Sequence, residues 1–89
     1  MNGDMLIYDE TEETKTRYIG FFGEHKRYDL AVTQTDRFYG KMLVIDIQSG
    51  RSAIIGPDDL EEEGYLAHAF ELTEDQAAEL HELLSQIIF

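Results

Sequence analysis

Residues 58–63, Asp-Asp-Leu-Glu-Glu-Glu, place five carboxylates in six positions. Clustered carboxylates are the ligands that hard divalent cations take. They also suit the first turn of a helix, where exposed N–H groups and the helix dipole attract negative charge. The flanking residues favour the helix. Gly56-Pro57 is a start signal, because proline fits the first helical position at no cost in hydrogen bonds, and Gly64 suits a C-terminal cap. The EF-hand spacing, with acids at alternate positions around a central glycine, is absent. Residues 57–63 therefore read as a helix of one to two turns, with Asp58, Asp59 and Glu61 in its first turn and Leu60 as the inward anchor.

Other reactive types are sparse. His25, His68 and His81 form no i,i+4 pair and no H-E-x-x-H, so each reads as a surface or boundary residue. Ser49, Ser52 and Ser85 lack a G-x-S-x-G context. Gly20-Phe21-Phe22-Gly23 has neither the spacing nor the lysine of a phosphate loop. With no cysteine, thiolate and disulfide chemistry are excluded. The sequence thus favours a non-enzyme, with no catalytic, cofactor-binding or metal residue to assign.

A second notable stretch is Thr35 to Ile45. Arg37, Phe38, Tyr39 and Lys41 interleave charge with aromatics ahead of a strand, as nucleic-acid-binding sheets do. The order does not match the RNP1 pattern and no βαββαβ arrangement surrounds it. A turn whose aromatics fold back while its charges stay wet fits better. The candidate interaction surface is accordingly Arg37, Phe38, Tyr39 and Lys41 together with Asp58, Asp59, Glu61, Glu62 and Glu63.

The elements that must hold these residues follow from periodicity. Residues 14–23 are rich in β-branched and aromatic types and end at a glycine. After a polar turn at 23–27, residues 28–35 alternate, with Tyr28, Leu30 and Val32 on one face and Asp29, Ala31 and Thr33 on the other. Residues 36–40 turn again. Residues 41–48 are apolar on both faces, Leu43, Ile45 and Ile47 against Met42 and Val44, which marks a central strand. A two-residue Ser49-Gly50 loop then leads to a strand at 52–56. Residues 5–9 suggest a short edge strand, and residues 10–14 a mobile link. Residues 65–72 fit either period. The strand is favoured, because a cap at Thr73 implies extended chain before it.

Thr73 and Gln76 form a T-x-x-Q capping box for a C-terminal helix. Ala77, Leu80, Leu83, Leu84, Ile87 and Ile88 make its apolar stripe, and Asp75, Glu79, Glu82 and Gln86 its solvent face. The expected fold is α+β: an antiparallel meander of four to five strands, the C-terminal helix across one face, and a short helix near 57–63. Residues 1–89 form a single domain, with 1–13 partly mobile.

Charge bounds the partners. The net charge is −12. Residues 1–14 hold five acids and no base, residues 15–51 all seven Lys and Arg against four acids, and residues 52–89 ten acids and no base. So acidic a chain disfavours nucleic acid and anionic membranes. No stretch approaches the roughly 20 apolar residues of a membrane span, and the opening residues lack the basic region of a secretory signal, so the cytoplasm is the expected location.

Several phrases together, LIYDETEETKTRYIGF, GEHKRYDLAV, DRFYGKMLVIDIQSGRSAIIGPDDLEEEGYLAHAF and LTEDQAAEL, resemble a family of short acidic proteins of Gram-positive Firmicutes, catalogued as a domain of unknown function. The resemblance covers nearly the whole chain. It implies a bacterial cytoplasmic protein and carries no activity, cofactor or site residue with it.

The functional expectation is a protein-binding or regulatory module whose acidic residues meet a basic protein partner; a homo-oligomer stays open. The alternatives are a nucleic-acid-binding module using residues 26–41, with Lys26 and Arg27 beside the basic-aromatic stretch, and a small metal-dependent protein using the histidines with carboxylates.

Overall fold

The computed structural model describes residues 5–88. Four strands come first: β1 (Lys15–Phe22), β2 (Arg27–Gln34), β3 (Met42–Asp46) and β4 (Ser52–Ile55). Three helices follow: α1 (Pro57–Glu61), α2 (Tyr65–Phe70) and α3 (Glu74–Ser85). The strands pair in sequence order, every pair antiparallel, so the sheet is the expected meander with four strands. β2 and β3 are its centre, as the two-faced apolar pattern of β3 requires.

The helices lie over one face. Tyr28, Leu30 and Val32 of β2, Val44 of β3 and Ile55 of β4 are buried against Leu60, Leu66, Phe70, Leu80, Leu84 and Ile88. The period-2 set of β2 and the helical stripe of α3 are thus two sides of one core. The T-x-x-Q box forms in both directions: Thr73 Oγ1 accepts the Gln76 N–H at 3.2 Å, and Gln76 Oε1 accepts the Thr73 N–H at 3.1 Å. α3 ends at Ser85, yet Ile88 is still buried, its N–H donating to the Leu84 carbonyl at 2.7 Å.

Several local expectations need correction. Residues 65–70 are helical, not a strand. Leu66 and Phe70 share a face under either period, and the choice falls to the ends. Gly64, at φ +79°, starts α2 instead of closing α1, and Glu71, at φ +52°, breaks it. The extended chain that Thr73 needs is confined to the immediate approach to the cap, Thr73 itself having φ −69° and ψ 167°. The β3–β4 connection runs over residues 47–51, not over Ser49-Gly50 alone. The Asp46 N–H donates to the Arg51 carbonyl at 2.8 Å, and the buried Asp46 carboxylate fills the loop, accepting from the Gln48 N–H at 3.1 Å and the Ser49 hydroxyl at 2.9 Å. Gly50 still supplies the positive φ, +78°. Ile47 consequently lies beyond the strand. Residues 5–9 form no strand.

Residues 10–14, expected as a mobile link, make bonds to the body. Glu12 accepts from the Thr35 hydroxyl at 2.7 Å and the Asp36 N–H at 3.0 Å, and Glu10 pairs with Arg37 at 2.7 Å. These bonds, the Asp36 N–H first, hold the Glu12 carboxyl below its ordinary value. Of the expected partly mobile stretch 1–13, residues 1–4 lie outside the described residues.

Candidate functional site

Lys41 joins the two stretches that the sequence singles out. Its Nζ lies 3.3 Å from Asp58 Oδ2 and 3.0 Å from Asp59 Oδ2. Asp59 and then Asp58, through their hydrogen bonds, raise the lysine's pKa. Asp59 does more. Its Oδ2 accepts the Gly56 N–H at 2.8 Å, the reciprocal half of a capping box. That bond first, with Lys41 adding to it, outweighs burial and holds the Asp59 carboxyl below its usual range. A Cβ at Gly56 would lie 2.8 Å from Lys41 Cγ, so a side chain there would push the lysine aside. Asp59→Ala is therefore expected to cost about 1 kcal/mol, the size of a lost cap. Asp58→Ala should cost less, because Asp58 makes no capping bond. Equal losses in urea melts would refute this division of roles.

The rest of the basic-aromatic stretch is divided. Arg37 pairs with Glu10 and lies over the Tyr8 ring at 5.6 Å. Phe38 is half-buried, while Tyr39 is 100% exposed at φ 54°. Arg27 is held by Asp29 at 3.0 Å and Arg51 by Glu71. Lys15, Arg17 and Lys26 are the cations without a carboxylate partner among the described residues.

The acidic run divides too. Asp58 and Asp59 turn to Lys41, whereas Glu61, which closes α1 instead of starting it, Glu62 and Glu63 line a groove of about 490 Å³ between α1–α2 and α3. Leu60, Leu66 and Ala77 contribute its apolar lining, and Glu74 adds a fourth carboxylate from α3. His81 lines the groove as well, its Nε2 2.9 Å from the Leu60 carbonyl oxygen and its Nδ1 3.4 Å from the Ser85 hydroxyl. No lysine or arginine pairs with Glu61, Glu62, Glu63 or Glu74 among the described residues. His25 is exposed in the β1–β2 turn and His68 is exposed on α2. Among the described residues no three His or carboxylate side chains converge as metal ligands would.

The profile of the SAV0927-like family matches residues 7–86. The chain belongs to the SAV0927-like family. No curated protein matches it in sequence. The matched span takes in every strand and helix, so the Lys41 clasp and the acidic groove both lie inside the SAV0927-like domain. No helix among the described residues is long and apolar enough to cross a membrane.

The SAV0927-like domain also uses a residue that sequence reasoning placed in solvent. Glu79 of α3 reaches the β1–β2 turn. Its carboxylate accepts the N–H of Glu24, the N–H of His25 at 3.1 Å and the hydroxyl of Tyr28 at 2.7 Å. Gly23 makes room, since a Cβ there would overlap the carboxylate. Burial works to raise the Glu79 carboxyl, but the bonds from Tyr28, His25 and Glu24 outweigh it, and the group titrates below its ordinary value of 4.5. A carboxyl depressed in the folded state contributes stability above its unfolded value, and loses it as pH falls through the folded one. The melting-temperature gap between the wild type and Glu79→Gln should therefore be largest near neutrality and close once the pH falls below the carboxylate range. A gap independent of pH would show that Glu79 acts by packing alone. The sequence does contain one signal for this strut, a Gly-led polar turn with free N–H groups, but nothing in it points from that turn to α3.

Proposed function

We propose that this SAV0927-like domain is a cytoplasmic, non-enzymatic protein-binding module that takes a basic segment of a protein partner into the groove between α1–α2 and α3. The observation that supports this reading is the division among the acids. Asp58, Asp59, Glu71 and Glu79 are spent on internal bonds, whereas Glu61, Glu62, Glu63 and Glu74 gather unpaired around an apolar groove. Carboxylates crowded without counter-charges repel one another, so cations of a partner would relieve a strain that folding leaves in place. The occupant that fits is an amphipathic segment with leucine-like side chains for the floor and lysine or arginine for the rim.

The test uses a synthetic helix-forming peptide with leucines on one face and lysines flanking them, titrated into the full chain. Binding should weaken steeply with salt and be lost in the triple variant Glu61→Gln, Glu62→Gln, Glu63→Gln, which should melt like the wild type because these side chains hold nothing. Binding that survives the triple variant would remove the groove from the reading. The nucleic-acid alternative is left with Lys15, Arg17 and Lys26, and a short single-stranded RNA titrated at low salt, where phosphate contacts are strongest, separates it from the first.

A further inference from the structure

The helices cover one face of the sheet and leave the other open. On that open face Tyr18 of β1 stands opposite Ala31, which in turn stands opposite Ile45, and Thr33 stands opposite Leu43, which stands opposite Ile54. Phe22 extends the face along β1. Tyr18 is 78% exposed and Phe22 82%, with Ile47 and Ile54 also open to solvent. Between them Ala31 is buried and Leu43 and Ile45 are half-buried, so the exposed apolar side chains ring a closed centre; apolar side chains grouped in this way on one face mark interaction sites.

Its charge is as telling as its apolarity. In a chain of net charge −12, the charged side chains this face presents from the sheet are Arg27 and Asp29, and they neutralise each other at 3.0 Å. The free carboxylates of the groove belong to the helical layer on the opposite side. An electroneutral face offers nothing to a basic or an acidic partner in particular. It does match itself. In a two-fold pairing each copy presents the same surface, so apolar rows meet apolar rows and an Arg27–Asp29 pair meets its twin. Two aromatic side chains, each able to bury about 150–250 Å², and the neighbouring isoleucines supply several hundred Å² per copy. That is at or below the roughly 800 Å² per partner of a standard interface, so the association is weak and depends on concentration.

We infer that the open sheet face is a self-association surface on which a second copy of this chain packs, sheet against sheet. This inference stands apart from the groove and responds to salt with the opposite sign. Two highly acidic chains repel, and salt screens that repulsion while leaving apolar burial intact. Self-association should strengthen with salt, whereas the groove should lose its basic ligand.

Sedimentation equilibrium of the full chain, from micromolar to near-millimolar concentration, tests the inference at low and high salt. The average mass should climb toward that of a dimer, and climb further at high salt. The double variant Tyr18→Thr and Phe22→Thr, at exposed positions where threonine suits a strand, should melt normally and stay monomeric. Amide shifts of the wild type on dilution should fall on β1, β3 and β4 and spare α3. A wild type that is monomeric throughout, a dimer unaffected by the double variant, or a monomer that captures single-stranded RNA on Tyr18 and Phe22 would each overturn the inference.

Discussion

Leu84→Ala is expected to destabilise the domain by about 2–5 kcal/mol, a large part of the roughly 5–15 kcal/mol that holds a domain together. Leu84 is 0% exposed, at the centre of the α3 stripe and in the same buried cluster as Leu30, Val44, Ile55 and Phe70. Truncation there leaves a cavity between sheet and helix that neither layer can fill without bending. Glu82, two residues earlier and exposed, should cost well under about 1 kcal/mol when replaced by alanine. The contrast is read from denaturant midpoints, and similar shifts at the two positions would mean that α3 is turned the wrong way.

Tyr28→Ala should fall in the range of about 3–5 kcal/mol known for buried aromatics. The ring is 3% exposed, stacked on Phe21 with centroids 4.7 Å apart, and Lys26 Nζ lies 5.3 Å from its centroid. The hydroxyl also links the layers, its one proton shared between the Gln76 carbonyl at 2.9 Å and Glu79 at 2.7 Å. Burial first, and then the Glu79 carboxylate, raise the Tyr28 hydroxyl's pKa, so it stays a donor across the physiological range. Tyr28→Phe keeps the ring and loses only these bonds, which sets its cost at about 1–2 kcal/mol. Combined with Glu79→Gln it should be clearly non-additive, because both changes cut the same link. Strict additivity in the double-mutant cycle would show that Tyr28 and Glu79 act independently.

These two residues also show what a sequence makes legible. Tyr28 announces itself through strand alternation, and Leu84 through helical spacing, because both patterns are written within a few neighbouring residues. The Thr73–Gln76 box and Gly50 are legible for the same reason. Glu79 is not. By periodicity it belongs to the polar side of α3, and only the approach of a turn 55 positions away turns it inward. Lys41 is similar: its strand position is evident, but its grip on Asp58 and Asp59 depends on how β4 delivers α1. Residues 65–70 failed for a different reason, since Leu66 and Phe70 satisfy both periods and the decision rests with Gly64 and with packing on α3. Of the candidate surface, Glu61, Glu62 and Glu63 line an open groove, while Arg37, Lys41, Asp58 and Asp59 make ion pairs within the domain.

The strictly sequential meander has a kinetic consequence. Every strand pairs with its neighbour in the chain, so loop-closure entropy is small at each step and the sheet can assemble through local hairpins. α3 is the exception, since its ties to β2 and to the β1–β2 turn close loops of about 50 residues. In a chevron plot, weakening the β2–β3 hairpin at Val44 should slow folding, whereas Leu84→Ala should leave the folding arm nearly unchanged and accelerate unfolding. The lifetime of the folded domain is then governed by how often α3 lifts from the sheet, a motion that the carboxylate of Glu79 restrains from the helix's outer flank.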